Sequence, residues 1–151
     1  MRVWRFDRDG RNPLDGLGGL HSAGRWHPRG SRVVYTSGHL SLAVLERLVH
    51  LDPDLLPDNL VAFEIEISDE PSSMERVPLA GLPPDWKSQP PASSTQEIGR
   101  AWLTDPARPG VLVVPSAIVT SESNYLLNPA HRGSRRWSVV SSEPFRFDAR
   151  L

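Results

Sequence analysis

Three residues of unlike chemistry stand at near-equal intervals early in the chain: Arg25, Tyr35 ten residues later and Glu46 eleven residues after that. Each belongs to a different kind of segment. Arg25 lies in the Gly/Pro-punctuated run AGRWHPRG, where backbone can approach a ligand closely and a guanidinium fork matches phosphate oxygens in bidentate fashion. Tyr35 ends the apolar run VVYTS, and Glu46 sits within the aliphatic stretch LAVLERLVH. An anion binder, an aromatic ring and a carboxylate in one supersecondary unit suit a ligand with phosphate, a flat ring and a sugar, as in NAD.

Each residue also has an ordinary reading. A carboxylate among Leu45 and Leu48 is costly to bury unless it is paired or aimed into a cavity, but Glu46 and Arg47 together also describe the wet edge of a helix. Arg25 can pack on Trp26 at the surface, and Tyr35 can fill a core as strand aromatics commonly do. Only a shared ligand requires all three to point together.

Other chemistries find less support. His21, His27, His39, His50 and His131 show no ligand spacing such as HxxxH or HExxH, which argues against a metal site, and His50 suits the negative end of a helix. No GxSxG elbow accompanies the serines, and Gly16-Leu17-Gly18-Gly19 lacks the GxGxxG and Walker patterns. There is no cysteine, hence no disulfide, thiolate metal site or Cys nucleophile, as fits a reducing cytoplasm. Seventeen basic and 18 acidic residues are interspersed along the chain, against the one-sided basic excess of a nucleic-acid binder. No apolar run reaches the length of a membrane span, and the N-terminus lacks the basic-then-apolar pattern of a secretory signal.

The elements that must position these groups read as α+β in a single compact domain over residues 1–151. Such a length buries roughly two-thirds of the unfolded surface. Strands are expected at Arg2–Asp7, Arg32–Ser37 and the alternating Leu60–Ile67, with a buried central strand at Val111–Val114 and closing strands at Trp137–Ser142 and Phe145–Phe147. Asp9–Gly30, with six glycines and two prolines, reads as a long functional loop. His39–His50 is the strongest helix signal: Leu42, Leu45, Leu48 and Val49 form a stripe that Leu40, Ala43 and Val44 widen toward complete burial. A second helix over Ser94–Leu103 opens on a capping box, Ser94 with Glu97. Pro78–Pro91, with five prolines, is a surface excursion.

The ordered motifs GRW, VVYTS, LAVLERLVH, VLVVPSAIV and NYLLNPAH, preceded by Val3-Trp4-Arg5, resemble the RES domain over nearly the whole chain. That domain is the toxin of bacterial RES–Xre toxin–antitoxin pairs. Position by position, Arg25, Tyr35 and Glu46 match its core triad, Arg5 its early arginine and Ser116 its serine. His27 departs from the family, where Asn commonly follows the Arg-Trp pair, and the Pro78–Pro91 excursion is a second departure.

The resemblance implies an ADP-ribosyltransferase-like fold with a mixed central sheet and cleavage of the nicotinamide–ribose bond of NAD, with NAD as substrate and neither metal nor redox cofactor. Glu46 would face the ribose, Tyr35 the nicotinamide, and Arg25 the pyrophosphate. Arg5 would be a second anion contact and Ser116 a donor to phosphate or ribose. The implied partner is an Xre-type antitoxin, with a homodimer allowed within that complex. Water, inorganic phosphate or a protein side chain would each serve as acceptor. Two other classes stand beside this reading: an RNase-like toxin, which the charge balance disfavours, and a non-catalytic nucleotide-binding module, which the complete triad disfavours.

Overall fold

Alternation of apolar and polar residues builds one sheet, and a computed structural model describes it over residues 1–151. The strands are β1 (Arg2–Arg8), β2 (Val34–Ser37), β3 (Leu60–Glu66), β4 (Met74–Arg76), β5 (Val111–Pro115), β6 (Ser123–Leu127) and β7 (Ser138–Phe145). They lie side by side in the order β4-β5-β6-β2-β1-β3-β7. Only β4 and β5 run parallel, so the sheet is mixed, as expected. The helices are α1 (Gly18–His21), α2 (Leu40–Leu48) and α3 (Ser93–Thr104).

Period-two alternation splits the core between the two faces of the sheet. Val3, Val34, Val111, Val113 and Leu127 pack with Phe63 and Ile65 on one face. Val33, Leu112, Val114 and Leu126 pack on the other with Trp26 and with Trp102 of α3. Strand β5 is buried throughout because both faces are covered and both edges are paired. Helix α3 can approach this second layer closely because of Gly99. A Cβ at that position would collide with the carbonyl of Trp26.

Four sequence expectations need correction. Helix α2 buries Leu42 and Ala43 against the sheet but leaves Leu40, Leu45 and Val49 largely exposed, since only one side of it meets the fold. Helix α3 begins at Ser93 without a capping box: Ser94 Oγ donates to Asp85 (2.7 Å), while Glu97 pairs with Arg100. The segment 9–30 is not wholly irregular, since it contains α1. The closing strand is one continuous β7 at the sheet edge, and the short strands β4 and β6 were not anticipated.

Candidate active site

On the Trp26 face of the sheet lies a cavity of about 700 Å³. Tyr35 and Ser37 of β2, with Val33 just before the strand, share that face by strand alternation. Cross-strand pairing places Ser37 opposite Asn124 and Tyr35 opposite Leu126 of β6. Helix α2 runs alongside, and α1 with the loop 22–27, together with Lys87 and Gln89 of the proline-rich segment, completes the wall. Arg5, Arg25, Tyr35 and Glu46 all line this space, although they arise from a strand, a loop, a second strand and a helix.

Glu46 presents two inequivalent oxygens. Oε1 accepts from Ser116 Oγ at 2.8 Å and from Asn124 Nδ2 at 2.6 Å, whereas Oε2 has no protein donor. Both donors are themselves fixed. The Ser116 hydroxyl accepts from the amides of Ile118 and Val119 at 3.0 Å each, and Asn124 Oδ1 accepts from Ser37 Oγ at 2.8 Å. A carboxylate with one oxygen clamped has a defined orientation, and its other oxygen is free to meet a ligand hydroxyl.

The same geometry revises one assignment. Ser116 is wholly buried and its single proton goes to Glu46, so it is not placed to donate to a phosphate or a ribose. It positions the carboxylate instead. Asn124 shares that task and carried no sequence signal beyond its place in NYLLNPAH.

Tyr35 is held at its hydroxyl, which accepts from the Trp26 amide at 3.2 Å and lies 2.7 Å from His27 Nδ1. His27 Nε2 faces the Ser22 carbonyl at 2.9 Å, which can only accept. The imidazole therefore carries its proton on Nε2, and Nδ1 accepts from the tyrosine. Burial lowers the His27 pKa from its ordinary 6.5, outweighing the Ser22 bond, so the neutral ring is the form at pH 7. Burial also raises the Tyr35 pKa, opposed by the Trp26 amide and the Arg25 charge, and keeps the phenol protonated. Gly24 makes room for this pair, because a Cβ there would stand 2.7 Å from the tyrosine oxygen.

Arg25 forms no ion pair with Glu46, so the space between them is not closed by mutual neutralisation. Its Nη1 donates to the carbonyls of Trp86 (2.7 Å) and Ser88 (3.1 Å), while its other N–H groups have no protein acceptor. The proline-rich segment lies at the surface, as expected, and also forms a wall of the cavity. Its other side is fastened by Lys87 Nζ, which donates to Thr120 Oγ1 at 2.7 Å. Arg5 donates to the Tyr35 carbonyl at 3.2 Å and to Asp7 at 2.9 Å.

The RES domain matches residues 2–148. A protein named Prs ADP-ribosylating toxin from Sphingobium sp. (strain YBL2) is 34% identical, covering 98% of this chain and 94% of its own length. A protein named Toxin Res from Pseudomonas putida is 37% identical, covering 100% of this chain and 99% of its own. In fold, the chain is similar to one in the crystal structure of the M. tuberculosis MbcT-MbcA toxin-antitoxin complex. The TM-score is 0.70 at 16% identity, over 95% of this chain and 83% of that one. Matched along nearly all its length and resembling toxins end to end, the chain belongs to the RES domain family of toxins.

Proposed function

We propose that this toxin consumes NAD by breaking the bond between nicotinamide and ribose. The observation that carries the reading is Glu46: one oxygen clamped by Ser116 and Asn124, the other unpartnered, on a cavity shared with Tyr35 and Arg25. Cleavage moves the bonding electron pair onto the pyridinium nitrogen, which leaves as neutral nicotinamide, and positive charge builds on the ribose as in glycoside hydrolysis. Hydrogen bonds from the ribose hydroxyls to Glu46 Oε2 strengthen as that charge develops, which favours the transition state over the bound substrate. Tyr35 orients the nicotinamide ring, and Arg25 offers its remaining N–H groups to the pyrophosphate. An acceptor then adds at the anomeric carbon and loses a proton; water gives hydrolysis, phosphate gives phosphorolysis and a protein side chain gives ADP-ribosylation.

The name of the Sphingobium relative supports transfer of ADP-ribose as one such outcome. The antitoxin beside the M. tuberculosis fold neighbour supports an antitoxin partner here, Xre-type by the family resemblance. The test is release of nicotinamide from NAD by purified protein with water, phosphate or cell lysate as acceptor source. Glu46→Gln keeps the shape and removes the charge, so it is expected to abolish release while the thermal unfolding midpoint stays near that of the wild type. Intact NAD under all three conditions would refute the reading.

A further inference from the structure

The cations around the cavity are not equally engaged. Arg25 holds two carbonyls of the proline-rich segment, Arg5 holds the Tyr35 carbonyl and Asp7, and Lys87 is bonded to Thr120. Arg47 lines the same cavity and differs from all of them. It donates no hydrogen bond and has no carboxylate within ion-pair distance; its Nε, like that of Arg5, is buried without a partner. The Asp7 charge acts on it from beyond ion-pair distance, while the two Asp7 oxygens accept from Arg5 Nη2 and the amide of Arg8. Burial pulls the Arg47 pKa down, opposed by the Asp7 charge and reinforced by Arg5 and Arg8.

A partly desolvated cation without a hydrogen-bonded partner opposes folding, and no group inside the protein accepts a hydrogen bond from it. A dinucleotide would. The pyrophosphate of NAD is attached at C5′ of the same ribose whose hydroxyls Glu46 is positioned to meet. The anion must therefore lie within about one sugar ring of that carboxylate. Arg47 is the next residue on α2 and faces the same space. Resting on the NAD reading above, we infer that Arg47, with Arg5 beside it, forms the principal subsite for the pyrophosphate, to which Arg25 adds only the N–H groups left over from the proline-rich wall.

The test compares wild type, Arg47→Gln and Arg47→Lys by steady-state NAD consumption, with whichever acceptor supports turnover, and by thermal unfolding. Loss of a charge-assisted pyrophosphate contact is expected to raise KM for NAD about tenfold or more in Arg47→Gln, with kcat changed far less. Arg47→Lys should restore part of the loss, since it keeps the charge without the fork. The unfolding midpoint of Arg47→Gln should equal or exceed that of the wild type, because removing an unpaired charge relieves the fold. An unchanged KM, or a raised KM found only together with a lowered unfolding midpoint, would overturn the inference and leave the NAD reading standing. Wild-type protein that leaves NAD intact would instead overturn the NAD reading, and this subsite with it.

Discussion

At the scale of single residues, the site works by orientation. Ser116 and Asn124 converge on one oxygen of Glu46, and each bond has a charged acceptor when the carboxylate is ionised. Such bonds contribute about 1.5–3 kcal/mol apiece. Ser116→Ala and Asn124→Ala are each expected to lower kcat for nicotinamide release roughly ten- to hundredfold, with a smaller change in KM, as initial rates over a range of NAD concentrations would measure. His27 makes a separate prediction. Its folded pKa lies below the unfolded value near 6.5, so the unfolded chain binds the extra proton first as the solution is acidified. Stability is therefore complete above about pH 6.5 and declines below it, down to the lowered folded pKa. Protonation would also put a donor where Nδ1 now accepts from Tyr35. Unfolding midpoints across this range should fall with acidity in the wild type and fall less in His27→Asn, which lacks the buried imidazole.

At the scale of elements, α2 separates what packs from what merely looks apolar. Leu42 is 1% exposed and Leu45 39%, so Leu42→Ala should cost about 2–5 kcal/mol and Leu45→Ala about 0.5 or less in denaturant unfolding. The sequence shows seven apolar residues on this helix with equal force, because hydropathy does not reveal which side meets a sheet. The same limit governs the strands. Strands β1, β2, β3 and β5 are legible from alternation or apolar runs, whereas β4 is three residues of Met-Glu-Arg and β6 is the mixed Ser-Asn-Tyr-Leu-Leu. Both are strands because distant partners supply their hydrogen bonds. The site was legible to the same degree. Arg25, Tyr35 and Glu46 stand out by type and spacing, but Asn124 becomes visible only when cross-strand pairing sets it against Ser37. The Ser116 hydroxyl, expected on a ligand, is enclosed by the turn that β5 makes into β6, closed by the Ser116 amide on the Glu122 carbonyl at 2.9 Å.

At the scale of the whole molecule, an enzyme that drains NAD should arrest the cell that makes it. Expression without an antitoxin is expected to stop growth as cellular NAD falls, and Arg25→Ala, Tyr35→Ala and Glu46→Ala should each spare both; colony counts beside NAD assays would check this. Toxicity that persists in all three would locate the harm elsewhere. The order of synthesis bears on how long such a protein stays harmless. Glu46 leaves the ribosome early, but the Asn124 amide that fixes it comes 78 residues later, on a strand that must pair between β5 and β2. At translation rates of about 5–20 residues per second, roughly 4 to 16 s separate the carboxylate from its second clamp. During that interval a nascent chain holds Arg5, Arg25, Tyr35 and Glu46 but lacks the strand that carries the second clamp. A partner that recognises α2 or the segment 18–27 thus has several seconds of access before the site is complete.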